Sequence, residues 1–459
     1  MFSYMKQGKR FYHEVVALAI PIILQNLITN SLSLLDTFMV GALGEAPMAA
    51  VTLANIPIFV IQLMTFGLQS GASVLISQFH GRGDKGAINE VLGIGFFVAG
   101  VFTLIFGCIM FFIPNQFMSL FGNDAGVVAL AARYAKIVAF SFFFDSLAQV
   151  YIAAHRSMAN PMLGLYILGA SMVSNTILNW VFIFGKLGAP AMGVEGAALA
   201  TLISRVLELV IALGHILLGK KFRFQFARLF RPSRDMIRRY VRFATPVLLN
   251  ETLWGLGTSL YPTIMGHMDG SQPILAAYGL VGNLVNMSTV AIFALGGTTA
   301  IIIGREIGAG QRRDKVYGIG QCLDMIAFLG GGLVGAIFIA LTYLVFEPYF
   351  YPLFHLSAEA AAIATMMSVV SFAFMAFRSF NTTNVVGVLR GGGDVRTATA
   401  IDLAPMWLLS LPLAALAGLV FHWGIVPVYL CLSLDNVVKL FLGVSRLRSG
   451  EWIRDVTVA

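Results

Sequence analysis

Charge is what this chain has least of. Asp, Glu, Lys and Arg make up 11% of its residues against 58% hydrophobic, and the mean hydropathy is +0.83. Soluble domains carry roughly 25% charged residues, so a water-soluble globule is excluded and a polytopic membrane protein is expected. Cysteine is nearly as scarce. Cys108, Cys322 and Cys431 sit singly in apolar stretches without C-x-x-C spacing, which excludes a disulfide framework and a zinc cage and leaves packing as their role. The seven histidines, at 13, 80, 155, 215, 267, 355 and 422, are scattered, with no H-E-x-x-H and no G-x-S-x-G. Without a clustered nucleophile, base or metal set, a membrane-embedded enzyme has nothing to work with. Gly214-x4-Gly219-Lys220-Lys221 has the outline of a phosphate loop, but it lacks the Ser/Thr metal ligand and ends a helix rather than opening one. ATP is therefore not expected as an energy source, and ion coupling becomes the default.

What is present is apolar length. Stretches of about 20 residues satisfy their own backbones in lipid only as helices, and twelve are placed near 14–38, 47–76, 88–113, 125–154, 162–185, 194–218, 243–266, 273–303, 316–346, 359–388, 397–421 and 427–445. The first contains Pro21 and runs past signal-peptide length without an A-x-A site, so it reads as a span. Assigning the N-terminus, every second loop and the C-terminus to the cytoplasm collects 24 of the 30 basic residues, nine of them in 219–242, and leaves only Lys186 in the opposite loops. By the positive-inside rule both ends lie in the cytoplasm. Arg231, Arg234, Arg238 and Arg239 are thereby explained by topology and anionic lipid, and no nucleic-acid partner is expected.

The chain is also duplicated. Leu18-Ala-Ile-Pro21 recurs as Phe243-Ala-Thr-Pro246, Gly41 as Gly266, Pro47 as Pro273, and Gly81-x-Gly83 as Gly308-x-Gly310, with the offset drifting from 225 to 227; later Arg156 recurs as Arg390 at 234. Each half begins inside and crosses an even number of times, so the repeats are parallel. The expected organisation is a six-helix lobe over 1–218, a basic cytoplasmic linker over 219–242 and a second six-helix lobe over 243–459. Two equivalent lobes suit a carrier that rocks around a central site.

Ionisable groups inside the spans then become the informative residues, since each costs roughly 2.5–3.5 kcal/mol at the bilayer centre. Asp36, Asp145, Arg205, Glu208, Glu251, Asp324, Arg378, Asp402, Asp435 and Lys439 are the candidates. Asp435 and Lys439, four apart, read as a local ion pair. Asn26, Thr29, Ser33 and Asp36, at spacings of 3, 4 and 3, form one polar face of the first helix; the repeat maps it to Glu251, Trp254, Thr258 and Tyr261. Ser171, Asn175 and Asn179, at spacings of four, make a second oxygen-bearing face. Oxygens of this kind suit a hard monovalent cation or a protonated carboxyl, with Asp36 as the charged member; the same asparagines can also simply join helices. Pro21 and Pro246 are candidate bend points. The 37 phenylalanines and 20 methionines can line an adaptable cleft, although most must face lipid or neighbouring helices.

Leu178-Asn-Trp-Val-Phe-Ile-Phe-Gly185, then Gly193-Val-Glu-Gly-Ala-Ala-Leu-Ala-Thr201 to Arg205, resembles the fifth-to-sixth-helix signature of the multidrug and toxic compound extrusion (MATE) family. Ala19-Ile-Pro21, Asp36-Thr-x-Met-Val-Gly41 and Arg390-Gly-Gly-Gly-Asp394 resemble it too, in order along nearly the whole chain. The resemblance implies an all-α membrane protein of twelve transmembrane helices in two parallel-repeat six-helix bundles. It also implies export of cationic or amphipathic compounds by alternating access, driven by entering H+ or Na+, with no cofactor. By position it assigns Asp36, Asn175, Asn179 and Thr201 to an ion or proton site, with Na+ as a possible metal at Asp36, Asn175 and Asn179. Some members use a second carboxylate at the position of Glu251 with an acid in the tenth helix; here that helix offers Arg378, so the expected C-lobe polar site is Glu251, Tyr261 and Arg378, with Glu251 neutralising Arg378. A monomer in a prokaryotic inner membrane is expected. A flippase for lipid-linked saccharides is the alternative, though it calls for more cavity cations than Arg205 and Arg378.

Overall fold

The computed structural model describes residues 2–122, 124–218, 225–354 and 356–458, apart from the side chains of Phe2, Ser3, Ser33, Leu34 and Phe226. Most of the phosphate-loop-like lysine segment, the start of the basic linker, His355 and the Ser33 side chain fall outside that description. Twelve long helices account for nearly everything else, and no strand occurs among the described residues. We number them α1 (Lys9–Gly41), α2 (Glu45–Arg82), α3 (Lys85–Phe112), α4 (Ala125–Ser157), α5 (Met162–Phe184), α6 (Val194–Leu218), α7 (Arg234–Gly266), α8 (Ser271–Gly308), α9 (Arg313–Phe354), α10 (Ala358–Ala373 and Met375–Leu389), α11 (Val395–Val420) and α12 (Ile425–Ser449).

Ten of these are long and apolar enough to cross a bilayer, and α10, bent by 48°, makes an eleventh. The remaining one, α7, opens on Arg234, Asp235, Arg238 and Arg239 and carries Asn250 and Glu251 further in. Its polarity is the reason it falls short as a free-standing span, and those two inner residues find polar partners inside the protein, as described below. Large apolar side chains such as Phe97, Phe112 and Leu408 stand exposed on the helices, which fits a surface solvated by acyl chains rather than water.

Turn chemistry divides the helices. Gly83 ends α2 in the left-handed conformation (φ 77°), and Asp84 caps α3 by accepting the Ala87 amide at 2.9 Å. Its repeat counterpart, Gly310, also has positive φ, 67°, so the duplicated Gly-x-Gly reproduces one backbone turn that side chains with a Cβ resist. Asp124 and Ser357 cap α4 and α10 in the same way. Pro21 lies within the unbroken helix α1, and α7 runs unbroken through Pro246. The sharp break falls in α10, between Ala373 and Met375, where no proline stands.

The chain divides into two compact units, Ile20–Leu248 and Met1–Ala19 with Leu249–Ala459. Helices α1 and α7 each pass from one unit to the other. In the first unit α4 is central, packed against α2, α3 and α6, with α5 against α6. Its core is built of small and branched side chains such as Ala50, Ala54, Ala131, Ala135 and Ala198, which let backbones approach closely. In the second unit α8, α9 and α10 pack together, and a core including Met265, Met367, Phe372, Met375 and Met406 fills the space between helices. The N-terminal segment joins this second unit through Glu14, ion-paired with Arg305, and Tyr12, whose hydroxyl lies 3.7 Å from Cys322.

Candidate functional site

In the unit Ile20–Leu248 the polar residues converge because two helix faces meet. Gly196 lets α6 lie against α5: a Cβ at that position would stand 2.6 Å from the Phe182 carbonyl oxygen. From that crossing, Thr201 on α6 comes opposite Asn175 on α5. Ser171, Asn175 and Asn179 are all buried. Asn179 Nδ2 donates to Asp36 Oδ1 at 2.5 Å and to Asn175 Oδ1 at 2.9 Å; Asn175 Nδ2 lies 3.5 Å from Thr201 Oγ1, which donates to the Ala197 carbonyl at 3.0 Å. Asp36, Asn179, Asn175 and Thr201 therefore form one chain of contacts across α1, α5 and α6. Asn179 Oδ1 is buried and has no donor.

The rest of the polar face on α1 behaves differently. Thr29 is exposed and returns its hydroxyl to the Gln25 carbonyl of its own helix at 3.0 Å. The inward contact at that level comes from Gln25, buried, whose amide donates to the Pro161 carbonyl at 2.5 Å. Of the described members of that face, Asp36 alone joins the network.

Sequence reading missed a second cluster one turn along. Arg205 lies 2.7 Å from Glu208 Oε1 and 3.3 Å from Asp145 Oδ1, and Glu208 is completely buried with Oε2 unpartnered. The i, i+3 spacing of Arg205 and Glu208 was the available signal; the participation of Asp145, from α4, was not readable. The expectation that the histidines stand alone also needs correction. Tyr151 OH is 2.7 Å from His215 Nδ1, and the His155 and His215 rings lie 5.2 Å apart. No group of three or more His, Cys, Asp or Glu suited to a metal occurs among the described residues.

In the other unit the pairing expected of Glu251 is wrong. Glu251 binds Arg390 at 2.8 Å, not Arg378. Arg390 is almost fully buried at the end of α10, and a guanidinium so placed requires a carboxylate. Next to this pair, Asn250 donates to Asp402 at 2.8 Å, and Lys439 bridges Asp402 at 3.0 Å and Asp435 at 2.9 Å. The local Asp435–Lys439 pair is present and is one arm of a larger network. Arg378 lies within electrostatic reach of Tyr261, Tyr278 and Tyr429, and Tyr261 packs against the apolar core of this unit. Glu251 is thus bonded to Arg390 and not to Arg378, and Tyr261 faces the charges of Asp435 and Lys439 as well as Arg378.

The family model MatE matches twice, over residues 21–181 and 246–416. The starts differ by 246 − 21 = 225 and the ends by 416 − 181 = 235, the same drift seen in the internal repeat. The chain is 24% identical to the probable multidrug resistance protein NorM of Thermotoga maritima, covering 96% of this chain and 92% of that one. It is 26% identical to the probable multidrug resistance protein YoeA of Bacillus subtilis, over 86% and 84%. Among solved structures, the Vibrio cholerae MATE transporter VcmN in its bent form superposes with a TM-score of 0.83 at 19% identity, over 96% of this chain and 98% of that one.

Proposed function

The chain belongs to the MatE family, whose members are multi-pass membrane transporters and not enzymes, and from that premise we propose that it exports small organic molecules in exchange for entering H+ or Na+. The exported compounds are amphipathic or cationic, the working unit is a monomer, and the protein resides in a prokaryotic inner membrane with both termini in the cytoplasm. The distribution of lysine and arginine supports that orientation. The two lobes, 1–218 and 243–459 joined by 219–242, alternate between outward and inward access, and each responds to ligands only as far as those ligands bind the two shapes differently.

Asp36 is the coupling residue in this reading, with Asn179, Asn175 and Thr201 as its neutral partners. The observation that carries it is the unpartnered, buried Oδ1 of Asn179 beside an Nδ2 that already donates to Asp36. An amide has a donor end and an acceptor end. The donor end serves Asp36 as an ionised carboxylate. Turned over, the acceptor end serves Asp36 when it is protonated, or adds an oxygen to a cation bound there. The donor set, one carboxylate with amide and hydroxyl oxygens, fits a proton or a hard monovalent ion and offers no thiolate or imidazole to a transition metal. Occupancy thereby changes what α1 prefers to face on α5, which is how an ion moves a helix.

The test is export from vesicles under imposed H+ or Na+ gradients. Asp36→Asn is expected to lower gradient-driven export about tenfold or more, since a hydrogen bond to a charged group contributes about 1.5–3 kcal/mol and about 1.4 kcal/mol is a factor of ten. Unchanged, gradient-dependent export by that variant rejects the role, and whichever gradient drives the wild type identifies the ion.

A further inference from the structure

One buried carboxyl takes no part in any of the networks above. Gly320, Asp324, Gly331 and Gly335 follow at spacings of 4, 7 and 4 along α9, which places them on a single helix face. That face is closed against α10. A Cβ on Gly331 would stand 2.8 Å from the Met375 carbonyl oxygen, one on Gly335 3.1 Å from the Met375 side chain, and one on Gly320 3.4 Å from Val388 and 2.9 Å from Trp452. Asp324 lies within this seam, opposite Asn384. Both side chains are completely buried, at 0% exposure.

Asn384 Nδ2 donates to Asp324 Oδ2 at 2.7 Å. The two remaining oxygens, Asp324 Oδ1 and Asn384 Oδ1, are buried and have no donor. Nor does a cation pair with Asp324 among the described residues. Arg390 serves Glu251, Lys439 serves Asp402 and Asp435, Arg446 serves Asp394 and Glu451, and Arg305 serves Glu14 and Glu306. Arg378 lies beside Ser379, which faces Gly331, two turns along α9 from Asp324. The titratable groups of the other neighbouring segments are engaged elsewhere or distant: Tyr12 with Cys322, Tyr4 against Tyr317, Tyr278 near Arg378, and Glu359 at the far end of α10. An ionised Asp324 would be a buried charge with one neutral donor, an arrangement that is strongly unfavourable away from water.

A carboxylic acid and a primary amide are complementary in two places: the amide N–H donates to the acid carbonyl, and the acid O–H donates to the amide carbonyl. One of these bonds is present, and the two orphan oxygens are the atoms the other requires. We propose that Asp324 and Asn384 form a proton-binding site of the unit Leu249–Ala459, with the proton on Asp324 Oδ1 donated to Asn384 Oδ1. Asn384 stands in the π-helical turn Thr383–Leu389 of α10, a ladder irregularity that recurs at functional positions. The proton and the closed α9–α10 seam are linked, because removing the proton leaves a carboxylate buried in that seam with a single neutral donor.

Infrared spectroscopy of the full-length protein in lipid nanodiscs at neutral pH tests this. Asp324→Asn is expected to remove one protonated-carboxyl C=O band that Asp36→Asn leaves in place. Asn384→Leu, with Asp324 intact, is expected to shift that band to higher frequency as the acid loses its acceptor, and this variant decides the matter if the first does not fold. No protonated-carboxyl band sensitive to position 324 or 384 overturns the proposal, as does a band that saturating Na+ abolishes. Because the measurement is made without substrate or gradient, its failure is separate from any failure of Asp36 as coupling residue.

Discussion

The duplicated helices α1 and α7 carry their acids at different places, Asp36 where α7 has Tyr261 and Glu251 where α1 has Asn26, and the two carboxylates, in opposite surroundings, should fail in opposite ways. Asp36 accepts from the Asn179 amide and, among the described residues, has no salt-bridge partner, whereas Glu251 sits 2.8 Å from a guanidinium that is itself nearly sealed from solvent. Removing the charge of Glu251 takes away the carboxylate that is directly bonded to the buried Arg390 guanidinium, and breaking a buried pair from one side costs about 3–5 kcal/mol. Glu251→Gln is therefore expected to lower the thermal unfolding midpoint in detergent or nanodiscs. Glu251→Leu combined with Arg390→Met should restore much of it, because replacing a buried pair by apolar residues of similar size is often neutral. Equal midpoints for the wild type and Glu251→Gln would show that the pair is not structural and would return Glu251 to the list of ion ligands. Sequence placed Glu251 correctly as a buried acid needing a cation but chose Arg378. Arg390 reads from the sequence as a loop residue after α10, and nothing in its spacing reveals that its side chain is buried and reaches Glu251 on α7.

At the scale of elements, the position of the candidate ion site depends on how closely α5 and α6 cross. Gly196 sits against the Phe182 carbonyl, at a distance where an added Cβ would stand 2.6 Å away from backbone oxygen. Backbone cannot yield as a flexible side chain can, so a larger residue must push the helices apart. Gly196→Val is expected to separate Asn175 from Thr201 and to depress gradient-driven export severalfold, while the protein still inserts and purifies as a folded species. Export at the wild-type rate from Gly196→Val would show that the Asn175–Thr201 contact is dispensable. The helix faces themselves were legible: i, i+4 spacing alone identified Ser171, Asn175 and Asn179 as one buried stripe. The stripe on α1 was less so, because a threonine in a helix can bond its own backbone and face outward, as Thr29 does. Periodicity reports a face; it does not report which neighbour covers it. For the same reason the joining of Asp145 to the Arg205–Glu208 pair and the Tyr151–His215 contact, each between distant segments, were out of reach.

The whole molecule inherits its organisation from a duplication that the family model retraces, matching 21–181 and 246–416. Twelve helices occupy the twelve expected places to within a few residues at most ends, since a span must supply every backbone hydrogen bond itself and its apolar length is fixed by the bilayer. What the pattern of spans leaves open is which side of the membrane is which. Of 30 basic residues, 24 fall on one face under one orientation, and reversing it would carry nine arginines and lysines of 219–242 across the bilayer. The bias in short loops sets orientation during insertion, so a reporter active only in the cytoplasm should be active when fused after Arg234 or at the C-terminus and silent when fused after Lys186. A reporter active only outside should give the reverse. The two sets must disagree at each site for the topology to stand, and activity of the external reporter at the C-terminus would invert the protein. That inversion would also place Asp36, toward the end of α1 remote from the N-terminus, on the cytoplasmic side, where an entering ion could not reach it first.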